Sequence, residues 1–276
     1  MSNKRYSNKG VNSAAKAQAN QAAAQESKRQ TLIVCAVAVA VILLAVILAI
    51  VLGGTDATVG GGKETTAGTT PSTTPSTSAP STSTVDMSAV KAEIDSMSVA
   101  DFTETTQTSE YVKVTIKHYG DVVIRLRSDI APITVANFQK LVGEGFYNGL
   151  TFHRIMQGFM IQGGDPKGDG TGGSGTTIKG EFKINGIQND LSHITGVISM
   201  ARKNMPYDSA TSQFFICNAD ASASLDGKYA GFGYVVAGLD VVLTVSEVEV
   251  KASASGENSV PVEPVVIEKI CFVTKN

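Results

Sequence analysis

From Tyr111 onward the chain is cut by glycine into short extended runs, and that rhythm limits what it can fold into. Tyr-Val-Lys-Val-Thr-Ile-Lys alternates apolar and polar side chains from residue 111. Residues 121–127 alternate again after Tyr119-Gly120, so the two runs read as a hairpin. Similar runs follow at 151–156, 159–162, 177–183, 195–200, 212–217, 231–236 and 265–273. Two helical stretches interrupt them. One starts near Pro132, carries Val135, Phe138, Leu141 and Val142 on one face, and ends at Gly143 and Gly145. The other begins at about Asp240 and is short, because Val241, Val242, Thr244 and Val245 are β-branched. Many short strands with one or two helices predict a mainly β domain over residues 109–276, a closed or nearly closed antiparallel barrel.

What precedes this domain is of a different kind. Residues 1–30 carry six Lys or Arg against the single Glu26 and have no long apolar stripe, which predicts a mobile basic tail. Thr31 to Leu52 then runs 22 residues without a charge. As a helix this run spans roughly 33 Å, enough for a bilayer core. A cleaved signal peptide is the competing reading. Its apolar region would be shorter, and no Ala-x-Ala site follows; Gly53-Gly54-Thr55-Asp56 does instead. Cys35 sits at the start of the run, which argues against a lipoprotein. The expectation is an uncleaved single-pass anchor over 31–52, with the tail in the cytoplasm and the rest outside. Residues 53–108 form a linker and lead-in. As far as Val85 they are Gly, Thr, Ser and Pro, a composition that cannot repay ordering entropy. Val90, Ile94 and Met97 have a weak helical period, so Met87 to Val99 reads as a short helix or a loop.

Charge and cysteine usage exclude several classes. From Asp86 to Asn276 there are 16 basic and 22 acidic residues, and an acidic domain argues against nucleic acid as a partner. Three cysteines, one in the apolar run and Cys217 and Cys271 in strand-like runs, read as buried thiols rather than a disulfide framework. Gly168-x-Gly170-x-x-Gly173 has the spacing of a dinucleotide loop, but Thr176-Thr177-Ile178 follows, and no helix opens there to hold a pyrophosphate. His118, His153 and His193 lack metal-ligand spacing, and His193 reads as a hydrogen-bonded core histidine. No Gly-x-Ser-x-Gly elbow is present, so hydrolysis has nothing specific behind it.

The chemistry concentrates between Phe152 and Gly164. Alternation puts Phe152, Arg154 and Met156 on one side and His153, Ile155 and Gln157 on the other, until Gly158 breaks the count. An arginine beside an apolar hollow is costly unless something uses it. Read singly, Phe152, Met160 and Phe215 are ordinary core residues and Arg154 a surface ion pair; the joint pattern points elsewhere. Phe-His-Arg, Gly-Phe-Met-Ile-Gln-Gly-Gly-Asp, Gly-Thr-Gly-Gly, Ser-Met-Ala, Ser-Gln-Phe-Phe-Ile and Leu-Asp-Gly occur in one order between about Tyr111 and Phe272. In this the chain resembles the cyclophilin family of peptidyl-prolyl cis-trans isomerases. Lys-Gly-Glu-Phe with the later Asn185-Gly186 is similar to the bacterial branch.

The resemblance implies a closed eight-stranded antiparallel barrel capped by one or two helices, and an enzyme needing no metal or cofactor. It implies that Arg154 is the catalytic donor, with Phe159 and Gln162 beside it. Phe159, Met160, Phe215 and Leu225 would hold the proline ring, with Phe152 supporting them. Ala201, Arg202 and Gln213 would contact the preceding residues of the peptide, Gly170 would border the groove, and Tyr229 would form a wall. Ser224 stands where many relatives carry tryptophan, which bears on their cyclic-peptide inhibitor more than on isomerisation. Arg202 replaces a common asparagine, and Tyr229 a common histidine. The expected function is X-Pro isomerisation in secreted, proline-containing chains by a monomer held at the membrane. A non-catalytic, membrane-tethered chaperone or Pro-peptide-binding module is the alternative, although a pure binder would not need the arginine. A surface-structural protein would show repeats or a wall-anchoring tail, and neither is visible.

Overall fold

The computed structural model describes residues 84–276. The basic tail, the apolar run over 31–52 and the linker up to residue 83 lie outside the described residues. Among those described, no helix is long and apolar enough to cross a membrane.

The folded chain starts in the lead-in. Helix α1, Met87–Glu93, is capped by Asp86, whose carboxylate accepts from the Ser88 and Ala89 amides. A 3-10 turn at Val99–Asp101 leads to β1, Phe102–Glu104. The predicted hairpin follows as β2, Tyr111–Ile116, and β3, Gly120–Leu126, with alternate residues of β2 buried. Then come α2, Pro132–Gly143, β4, Thr151–Met156, and β5, Met160–Asp165. Strands β6, Val197–Met200, and β7, Phe214–Cys217, precede the one-turn α3, Ser222–Leu225. Strand β8, Ala230–Ala237, runs into α4, Leu239–Ser246. The chain closes with β9, Val250–Ala252, β10, Asn258–Pro261, and β11, Ile267–Lys275.

Nine of these strands form one antiparallel sheet in the order β1-β11-β2-β3-β8-β6-β7-β5-β4, and β9 and β10 make a separate hairpin beside β4. The mainly β fold with few helices is the one expected; the strand count is corrected from eight to nine, and no continuous closed ladder is seen among the described residues. The ladder is not continuous between β4 and β11, which meet through an isolated bridge, Thr151 to Val266. Two hydrogen bonds flank the bridge, from Phe152 N–H to Val265 O (2.9 Å) and from Ile267 N–H to Leu150 O (2.8 Å). The pairing stops there because the far end of β11 is paired with β1 and β4 is irregular on both sides of Phe152.

Helix α2 packs against the main core. Its face carries Val135, Phe138, Leu141 and Val142 as predicted, and the Phe138 ring meets Tyr147, Phe214 and Phe232 at centroid distances of 5.1–5.6 Å. Ala131 offers no side chain to cap this helix. The buried Glu181 carboxylate does so from a distant loop, accepting from Ile133 N (3.0 Å), Thr134 N (2.8 Å) and Thr134 Oγ1 (2.7 Å). That use explains a second correction. The predicted strand 177–183 makes one bridge, Ile178 to Ala210, and then turns into a 3-10 segment at Lys183–Asn185. Its Gly180 amide donates to Asp208, and its Phe182 ring lies against Gly180 where any larger side chain would sit. Neighbours remote in sequence claim the groups that a ladder would need.

Candidate active site

The hairpin of β4 and β5 turns at Gly158, whose φ of 75° supplies the break seen in the sequence. Across the ladder Arg154 stands opposite Gln162, Gln162 opposite Phe215, and Phe215 opposite Ser199. Directly paired residues share a face, so three strand pairings set a guanidinium, an amide and a phenyl ring in one row.

Beside this row is a small apolar cluster. Met160, Phe215, Leu225, Cys217 and Ala221 are buried, and Phe159, Met156, Ala201 and Tyr229 form its partly exposed rim. Phe215 is held from two sides. Its ring stacks on His193 (6.1 Å, 23°) and meets Tyr229 edge-on (5.8 Å). His193 is the hydrogen-bonded core histidine expected, with Nδ1 2.8 Å from Asp226 Oδ1 and Nε2 2.9 Å from Ser199 Oγ. Burial pushes the Asp226 carboxyl up, but hydrogen bonds from His193 and Ser192 bring it below its ordinary value. Burial places the Cys217 thiol at about 12, which removes it as a nucleophile.

Polar groups run in a chain along the row. Arg154 Nη1 donates to Gln162 Oε1 (3.3 Å), and Gln162 Nε2 donates to Gln213 Oε1 (2.9 Å). Gln213 Nε2 then donates to Gly170 O (3.0 Å) and Gly172 O (2.8 Å). The glycine-rich loop at 168–173 is therefore tied to this row. It folds around Asp165, whose carboxylate accepts from the Lys167 and Gly170 amides.

At the other end of the chain is a residue that sequence reasoning missed. Glu257, at the turn between β9 and β10, accepts from Arg154 Nε (2.7 Å) and Nη2 (2.9 Å). The guanidinium holds its carboxyl down at about 2. No local signal marks Glu257, which lies 103 residues from Arg154 in a Ser- and Gly-rich stretch.

Two of the expected site residues have other duties. Phe152 is fully buried in the main core against Phe214, outside the apolar cluster. Arg202 lies 4.6–5.2 Å from the ring centroids of Phe182, Tyr207 and Tyr229 and donates to Lys228 O, Lys203 O and Asn204 O. It braces two loops and leaves little of its fork for a ligand. Arg154, Phe159, Met160, Gln162, Gly170, Ala201, Gln213, Phe215, Leu225 and Tyr229 do gather around the row and its apolar cluster. Among the described residues no group of His, Cys, Asp and Glu has the geometry of a metal site.

A family model described as cyclophilin type peptidyl-prolyl cis-trans isomerase matches residues 111–271, more than half of the chain. The chain belongs to the cyclophilin family. Its activity is peptidyl-prolyl cis-trans isomerisation. This cyclophilin is 44% identical to Bacillus subtilis peptidyl-prolyl cis-trans isomerase B over 129 residues, which cover 47% of this chain and 85% of that one. It is 41% identical to the isomerase ppi1 of Schizosaccharomyces pombe over 151 residues, 54% of this chain and 91% of the other. A crystal structure of a Cryptosporidium parvum cyclophilin type isomerase superposes with a TM-score of 0.53 at 29% identity, covering 60% of this cyclophilin and 98% of that chain. A second structure of that protein was determined in the presence of the dipeptide Ala-Pro, with a TM-score of 0.52 at 28% identity.

Proposed function

We propose that the isomerase turns X-Pro bonds by hydrogen-bond donation from Arg154 to the imide nitrogen of the twisted transition state. Amide resonance sets a barrier of about 18–20 kcal/mol to this rotation. Halfway round, the nitrogen leaves conjugation and its lone pair becomes localised. A donor fixed beside it binds that state better than either planar ground state and so lowers the barrier. The supporting observation is the placement of Nη1. It points toward Gln162 Oε1 at 3.3 Å and Met160 Sδ at 3.8 Å, both weak partners that a substrate can replace. The cluster of Met160, Phe215 and Leu225 suits the proline ring, with Phe159 on its rim. Gln162, held in place by Gln213, offers its amide to the rest of the peptide. A structure of the related isomerase was determined in the presence of the dipeptide Ala-Pro, which ends in the ring this cluster would take.

The proposed place of work is outside the cytoplasmic membrane, on proline-containing secreted chains, with residues 31–52 as anchor. The apolar run and the basic residues ahead of it support this reading. X-Pro exchange takes tens to hundreds of seconds unaided and can limit folding of such chains. Arg154→Ala is expected to keep the unfolding transition and lower kcat/KM on a short X-Pro peptide by about 100- to 1000-fold. Full activity in this variant would overturn the mechanism. Protease accessibility of the domain in intact cells tests the location.

A further inference from the structure

We infer that Glu257 is a positioning residue for catalysis, which aims the Arg154 guanidinium into the proline pocket; the inference rests on Arg154 being the donor. Three features support it. The carboxylate takes the Nε–Nη2 edge of the guanidinium in a two-point contact, 2.7 and 2.9 Å, that fixes the plane of the group as well as its position. It makes no contact with Nη1, the nitrogen nearest Gln162 and Met160, so it orients the fork without competing for the donor. The backbone that carries Glu257 is itself fixed, because its turn is closed by Ser253 N–H to Glu257 O (2.8 Å) and by Gly256 at a φ of 85°.

Energetics point the same way. A free arginine side chain loses rotamer freedom when held in one pose. In this site the ion pair supplies that ordering before substrate arrives. Arg154 and Glu257 are each about one-third exposed, 32% and 34%, so the pair escapes most of the desolvation penalty of a deeply buried one. Nη2 has its remaining partner in Met156 Sδ at 3.1 Å. Without Glu257, nothing charged holds the Nε–Nη2 edge, and the guanidinium is free to swing toward water. The β9–β10 hairpin thereby belongs to the active site, although its sequence carries no motif.

The test uses the full-length chain and exchange kinetics on a short X-Pro peptide, with kcat and KM separated. Glu257→Ala is expected to lower kcat by about tenfold or more with KM little changed, since misplacing a catalytic group by an ångström costs on the order of 100-fold. Glu257→Gln, which retains one acceptor oxygen, should recover most of the loss. In an Arg154→Ala background, Glu257→Ala should cost nothing further, because the two act as one unit. An unchanged or raised kcat in Glu257→Ala overturns the inference, the raised value marking Glu257 as a brake. A higher KM alone, or losses that add in the double variant, also overturns it in favour of a structural role. If Arg154→Ala is itself fully active, the donor reading fails instead, which separates the two failures.

Discussion

Two arginines on opposite halves of the sheet have nearly the same exposure and different chemistry. Arg125 on β3 and Arg154 on β4 leave 31% and 32% of their side chains accessible. Arg125 is tied to two carboxylates. Its Nη1 donates to both oxygens of Glu93 (2.8 and 2.9 Å), its Nε donates to Glu110 (3.0 Å), and its guanidinium lies 5.9 Å from the Tyr111 ring centroid. Arg154 has one carboxylate, and its third nitrogen looks across sulfur and an amide toward an apolar cluster. Partial exposure and ion pairing therefore do not separate a structural arginine from the proposed catalytic donor. What separates them is that Arg154 turns a weakly held donor toward an apolar cluster.

The comparison can be broken most directly with lysine. Arg154→Lys keeps the charge and loses the fork, and should reduce kcat/KM on an X-Pro peptide by about 10- to 100-fold. Arg125→Lys should leave that rate unchanged; an equal loss at both sites would abolish the distinction. A second measurement asks what Arg125 does instead. Arg125→Met strands Glu93 with Tyr234 Oη as its neighbour at 2.6 Å. The loss of unfolding free energy in urea is expected to be about 1–3 kcal/mol with activity retained.

The smallest effect is a pH slope. Glu257 is held at about 2 against an ordinary 4.5, first by the hydrogen bond from Arg154. A depressed carboxylate stabilises the fold fully above its unfolded value and loses that contribution as pH falls through the folded one. Acid destabilisation between about 4.5 and 2 should thus be shallower in Glu257→Gln, by less than about 1 kcal/mol because the pair is partly solvated. Identical slopes would mean that the pair contributes nothing to folding and acts on Arg154's pose alone.

Local periodicity carried much of this molecule. Arg154 and Gln162 face each other across a turn at Gly158, so a reader counting residues meets both on one hairpin. The buried face of α2 was legible for the same reason. Distance in sequence hid the rest. Glu181 caps α2 from 47 residues away, and in doing so it takes part of the alternating run 177–183 out of the sheet. Arg202 sits where a substrate contact is expected, yet its three ring partners come from positions 182, 207 and 229. Glu257 has no periodicity around it at all. The lead-in was ambiguous on apolar spacing alone; the capping Asp86 and the buried Val90 resolve it as a helix.

That short helix has a mechanical consequence. Any pull entering the folded chain at Asp86 meets α1 first. There it is resisted by Val90 seated among Val123, Leu191 and Tyr234, and by Glu93 clamped to Arg125 of β3 and Tyr234 of β8. Force reaching β1 must first strip this clasp, and neither β4 nor β5 lies on that route. Tugging on the leader would loosen the collar of the domain and leave the hairpin bearing Arg154 undisturbed.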